Sequence, residues 1–255
     1  MFLSYKRSKE LILKTIDNSN APEIIKCLLG QCIPSLVFRV RNDGGVSFFR
    51  QTSKTTGLVE IRIPSLLDKI LMNLGSIVLT ASICESFKNS MFHELGHAID
   101  HIFGNKEKGD YVNVSDTLFC YALDKSERIV DDLIDNVTKN NKSTFFRNLK
   151  NLKLENDGVS DIIHIVSRFR YNVLFCHDEK YFLEDEIRKG NEIFANLVQL
   201  YAFRDYKSLR KLKFKYQMGW IIDTFIYWLN EVSISNGIEL DRELNAILNS
   251  SLSKK

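Results

Sequence analysis

The sequence predicts an α+β protein, mostly helical, with a small antiparallel sheet, and three observations carry that expectation. The only convincing β-type region lies at residues 35–64, where LVFRV, VSFFR and LVEIRI are short runs rich in β-branched and aromatic residues. From Ser65 onward, apolar residues recur at helical spacing through nearly every segment. All three prolines precede residue 65, so nothing later interrupts the chain strongly. With 255 residues, 44% of them hydrophobic, the chain can bury a sizeable core, and we read a single domain over residues 1–255.

Residues 1–34 are expected to form N-terminal helices, with Ile12, Ile16, Ile24, Ile25 and Leu28 at helical spacing around a break at Pro22. In the sheet, the first two runs flank NDGG, residues 42–45, a turn signal that predicts a hairpin between them. Residues 82–203 form the centre of the domain and residues 204–255 its C-terminal helices. TKNNKSTFFRNLKNLKLENDG, residues 138–158, is the best stretch for an exposed excursion.

A net charge of +3 and a pI near 8.5 fall short of the basic excess of a nucleic-acid binder, so no nucleic-acid partner is expected. Cys27, Cys32, Cys84, Cys120 and Cys176 are odd in number and scattered, without a CxxC pair, which fits a reducing compartment. The opening MFLSYKRSKELILK lacks the sustained apolar stretch of a signal peptide, and no run approaches the length of a membrane span. The expectation is a soluble protein made in a cytoplasm.

The chemistry is concentrated in MFHELGHAIDHIFG, residues 91–104. Phe87, Met91, Leu95, Ala98 and Ile102 make an apolar helical stripe; Ser82 with Glu85 reads as a capping box before it, and Gly104 as its end. His93 and His97 are one turn apart, so both imidazoles project from the same side and can reach one ion, with Glu94 beside them. Two neutral imidazoles on a rigid turn supply half of a tetrahedral zinc shell. A third ligand leaves one position for water, whose pKa the ion lowers to roughly 7, and Glu94 would take its proton. His101, on a neighbouring turn, is expected at the surface or behind the ligands rather than as a fourth imidazole.

HELGHAID resembles the active-site helix of the zincin metallopeptidases, specifically gluzincins related to the anthrax lethal factor catalytic domain, the Pro-Pro endopeptidases, and short bacterial toxin, effector and phage-associated metallopeptidases. In that group a small residue and then an acid commonly follow the second histidine, as Ala98 and Asp100 do here. The resemblance implies a glutamate on a later helix as third ligand, and GNEIFANLVQLYAF, residues 190–203, offers Glu192 in an E-x-F-A pattern. It is also similar to the glutamate helix of thermolysin-like enzymes, which carry an aspartate where this chain has Asn196; Asp100 would substitute in orienting a ligand. Upstream, Ser160, Asp161 and Ile162, then His177 and Tyr181, follow the order of segments in related enzymes, with Cys176 where glycine is usual. By that match Tyr181 donates to the oxyanion of the tetrahedral intermediate, or His177 does so instead, or His177 gates or binds substrate.

The resemblance implies one Zn2+ per chain and hydrolysis of a peptide bond in a protein or peptide substrate. It implies a zincin-like fold with the sheet packed over the HExxH helix, and LVEIRI, residues 58–63, as the edge strand that pairs with an extended substrate. It extends to toxins and effectors, and so to delivery into a host-cell cytosol by a specialised secretion system. Residues 105–157, in the gap of 95 positions between His97 and Glu192, are read as an insertion or lid. A competing reading comes from RDYKSLRKLKFKYQ, residues 204–217, whose basic residues interleave with aromatics. There the protein is a catalytically silent zincin-fold binding module whose basic face meets a polyanion.

Overall fold

The computed structural model describes residues 3–41, 46–62, 81–107, 110–119, 157–166, 186–216 and 218–250. Helices dominate, as expected. The N-terminal pair is α1 (Tyr5–Asp17) and α2 (Glu23–Cys32). Ser4 caps α1 by accepting from the Arg7 N–H, and Pro22 stands as the N-cap of α2, where its missing N–H costs nothing. Ile12, Ile16, Ile24, Ile25 and Leu28 all face the core.

The sheet holds β1 (Leu36–Arg41), β2 (Phe48–Ser53) and β3 (Thr56–Arg62) in the order β1-β3-β2. It is mixed rather than antiparallel: β3 runs antiparallel to β2 but parallel to β1. The NDGG segment therefore joins no hairpin. The tight turn lies between β2 and β3, where Ser53 pairs with Thr56. The run LVEIRI is the central strand and not an edge, which its burial explains: Leu58, Val59, Glu60 and Ile61 are all buried, the pattern of a strand flanked on both sides. Glu60, on the outward face, is held by Arg39, Arg41 and Arg62 at 3.0–3.3 Å. Gly57 is glycine because the Phe49 ring lies across it; a Cβ there would stand 2.2 Å from the ring.

Of the two sheet edges, β1 is covered. The Val40 N–H donates to Ser8 Oγ, and the Val40 carbonyl accepts from the Leu3 N–H. The edge at β2 turns toward the long helix α3 (Ala81–Ile102), which packs on both β2 and β3. Ser82 lies within α3, and the residues before Ala81 are outside the described residues. After α3 come a short hairpin, β4 (Asn105–Glu107) and β5 (Asp110–Val112), and a helical stretch at residues 114–119. Val114, Ser115 and Phe119 are buried, so this part of the expected insertion belongs to the core. Most of the 138–158 segment lies outside the described residues.

Further on are α4 (Asp157–Val166) and α5 (Glu186–Ala202), the helix against which α3 packs most extensively. The C-terminal part comprises α6 (Tyr206–Arg210), a π-helical turn (Lys211–Lys215), α7 (Gly219–Ser235) and α8 (Arg242–Asn249). Here the basic run is largely consumed internally. Arg204 donates to Asp241 and to the Asn20 carbonyl, and Arg210 pairs with Glu243. Lys213 is buried, its ammonium bonded to Asp223 Oδ1 and to the Ile247 and Leu248 carbonyls at 2.7–3.0 Å. That ammonium satisfies the terminal carbonyls of α8. Among the described residues, no helix is long and apolar enough to cross a membrane.

Candidate metal centre

The apolar stripe of α3 buries Met91, Leu95 and Ala98 in the core, and this fixes which way the opposite side of the helix looks. His93 and His97 emerge from that side, their rings 4.8 Å apart and perpendicular. Helix α5 is amphipathic in the same manner, with Ile193, Phe194, Leu197 and Val198 in the core, and it presents Glu192 to the two imidazoles. His93 Nε2 lies 3.2 Å from Glu192 Oε2, and His97 Nε2 lies 3.5 Å from Glu192 Oε1.

The approach of the two helices is set by Gly96. A Cβ at that position would stand 2.8 Å from Ala195 Cα and 3.0 Å from its carbonyl oxygen. A side chain on either helix at this crossing would hold the backbones apart, so glycine facing alanine is the pairing that lets Glu192 reach the histidines.

Glu94, beside the histidines, is buried. Burial raises its pKa, opposed by the attraction of His93 and His97; Glu192 adds to the rise, and a hydrogen bond from the Phe49 backbone N–H opposes it. This last contact identifies the strand beside the site: β2, not β3, turns its main chain to the HExxH helix. At His93 burial disfavours the charged imidazolium, but Glu192, then Glu94 and Asp161, overcome this and push its pKa up to about 9. Burial likewise acts to raise Glu192, yet His97 and His93 hold it well below the usual carboxylate range. The two shifts are reciprocal effects of one contact, the carboxylate of Glu192 against the imidazoles.

The three donor groups are a set that could hold a metal ion. Their ligand atoms lie within 4.8 Å of one another. Donors bound at about 2.0–2.1 Å in a tetrahedral shell stand about 3.3 Å apart, and the carboxylate-to-imidazole distances of 3.2 and 3.5 Å bracket that value. Two imidazoles and a carboxylate are also a donor set of the type found in catalytic zinc sites, with one position left open. Comparison with protein-family models, curated proteins and solved structures finds no match for this chain. The case for the centre therefore rests on its own atoms.

His93, Glu94, His97 and Glu192 are thus brought together. Tyr181 and His177 lie outside the described residues. His101 is buried rather than at the surface: Nε2 stands 3.0 Å from the Ser53 carbonyl, so that nitrogen carries its proton and ties the end of β2 to α3. Asn196, one turn after Glu192, is buried, and among the described residues its Nδ2 has no hydrogen-bond partner. Asp161, on α4, is buried, and its charge favours the proton on His93.

Asp100 has a partner that sequence reasoning did not find. Its Oδ1 accepts from the Ser115 N–H and its Oδ2 lies 2.7 Å from Ser115 Oγ, which stands 2.6 Å from Asn191 Oδ1. One hydroxyl hydrogen cannot serve two acceptors, so a neighbour supplies another. Burial raises the Asp100 pKa to about 7, against the two Ser115 hydrogen bonds. The legible signal was Asn113 with Asp116, a capping pair in which the Asn113 N–H donates to Asp116 Oδ2, marking a helix start that places Ser115 in its first turn.

Proposed function

We propose that this protein is a zinc-dependent metalloendopeptidase acting on a peptide bond in a protein substrate. The observation that carries the reading is the convergence of His93 and His97 with Glu192 from a helix 95 positions later, with the buried carboxyl of Glu94 alongside. His93, His97 and Glu192 would hold the ion, which supplies a Lewis acid able to acidify water and polarise a carbonyl.

The remaining work falls to the chain. Glu94, with its pKa raised by burial, is a better proton acceptor than a solvated carboxylate and takes the proton of the attacking water at its carboxylate oxygen. The same carboxyl then returns that proton to the leaving amine. Its bond from the Phe49 N–H fixes its orientation relative to β2. An extended substrate adds to the edge of β2 that no strand covers among the described residues, where main-chain hydrogen bonds supply affinity and hold the scissile bond near Glu94. The binding-module reading is the weaker one, because Arg204, Arg210 and Lys213, three of the six basic residues of the run, are engaged with α8 and the residues flanking it.

The deciding experiment measures the metal content of the purified protein and compares proteome-wide cleavage by the wild type and by Glu94→Gln. About one zinc per chain in both, with cleavage by the wild type alone, is expected. A wild-type protein that refuses added zinc, or equal cleavage by both proteins, overturns the reading.

A further inference from the structure

The segment that follows the HExxH helix enters the site's framework through a single hydroxyl. Ser115 is fully buried, and three hydrogen-bonding contacts converge on it: backbone N–H to Asp100 Oδ1 at 2.7 Å, Oγ to Asp100 Oδ2 at 2.7 Å, and Oγ to Asn191 Oδ1 at 2.6 Å. Asp100 lies on α3 one turn beyond His97; Asn191 lies on α5 immediately before Glu192. The Gly190 backbone comes close to the same serine, so that even a Cβ there would be only 3.5 Å from the Ser115 carbonyl oxygen. Gly96 and Ala195 set how near the two helices come, but a close crossing leaves them able to slide along one another. A polar bridge with fixed lengths at both ends removes that freedom.

We propose that Ser115, held by Asp100 and bonded to Asn191, is the positioning residue that sets the height of Glu192 against His93 and His97. The 113–119 segment is then a built part of the metal centre and not a cover over it. The proposal rests on the metal reading above, and it concerns residues that touch neither the ion nor a substrate. Ser115 bonds the residue next to a ligand and acts by positioning that ligand's helix, and the scale for losing an orienting partner is about 10–100-fold in metal affinity.

The test titrates zinc against a competing chromophoric chelator and records the visible absorption of the cobalt form, for the wild type, Ser115→Ala, Asn191→Ala and Ser115→Thr. The thermal midpoint of each metal-free protein is measured in parallel. Ser115→Ala and Asn191→Ala are expected to weaken zinc binding about 10–100-fold and to change the cobalt spectrum. Ser115→Thr, which keeps the hydroxyl, restores both to near the wild-type values. If Ser115→Ala does not fold, Asn191→Ala, at a partly exposed position, decides alone. Unchanged zinc affinity and cobalt spectrum, with only the metal-free midpoint lowered, overturns the positioning role while leaving the metal reading intact. A wild type that binds neither metal overturns the metal reading, and this inference with it.

Discussion

Gly96 lies directly against Ala195, so close that a methyl group on the glycine would come within 2.8 Å of the Ala195 Cα. Because Glu192 is one turn before Ala195 on α5, this contact and the metal triangle are two results of one helix crossing. Gly96→Ala is therefore expected to force the helices apart, lowering stability by about 1–3 kcal/mol and weakening zinc binding together with it. Chemical denaturation and zinc titration of the variant check this; retention of both values shows that the crossing has slack.

Removing any one of His93, His97 or Glu192 as alanine should abolish stoichiometric zinc, since each is one of three ligands and binding weakens by orders of magnitude. Elemental analysis after gel filtration is the measurement. His101→Ala, by contrast, should retain zinc, because His101 bonds the Ser53 carbonyl and takes no part in the triangle.

The metal-free protein has a distinctive pH dependence. His93 has a folded pKa of about 9 against an ordinary value of 6.5, so its pairing with Glu192 contributes stability fully below about pH 6.5 and loses it as pH rises through 9. Zinc needs the neutral imidazole, so its apparent affinity should keep rising with pH up to about 9 rather than levelling off near 6.5. Zinc titrations across this range check the slope. An affinity already flat above pH 7 contradicts it.

Lys213→Met should destabilise the C-terminal region by roughly 2–3 kcal/mol, at the lower end for a broken buried charge network because Asp223 is a third exposed. Hydrogen exchange should locate the loss in α8, whose Ile247 and Leu248 carbonyls lose their donor. Uniform loosening of the whole molecule would count against this assignment.

Where a periodic pattern and its physical consequence lie within one element, the sequence was readable. The stripe of Met91, Leu95 and Ala98 dictated the side from which His93 and His97 project, and Glu192 sits on a helix whose apolar residues are equally regular. The sheet was misread because NDGG is a local turn signal, whereas strand order is a tertiary property. The continuous burial of Leu58 to Ile61 would have identified a central strand, as such runs do when both flanks are covered. The Asn113 and Asp116 capping pair marks a helix start at Ser115 but not what its hydroxyl meets: a serine in a first helical turn looks alike whether its hydroxyl meets water or an asparagine 76 positions later. His101 was expected either at the surface or behind the ligands, and nothing in its own helix decided between them, because it is β2 that covers it.

The 95 positions separating His97 from Glu192 also bear on the order in which the molecule assembles. Bringing the ends of a loop of that length together costs the disordered chain roughly 4 kcal/mol of entropy in its length-dependent part. Before that closure an ion meets only the two imidazoles of one helix and is held weakly. On the proposed zinc reading, the ion would therefore arrive last and act as a lock on a finished chain rather than as a seed for its folding, and a chelator would reverse only the final step.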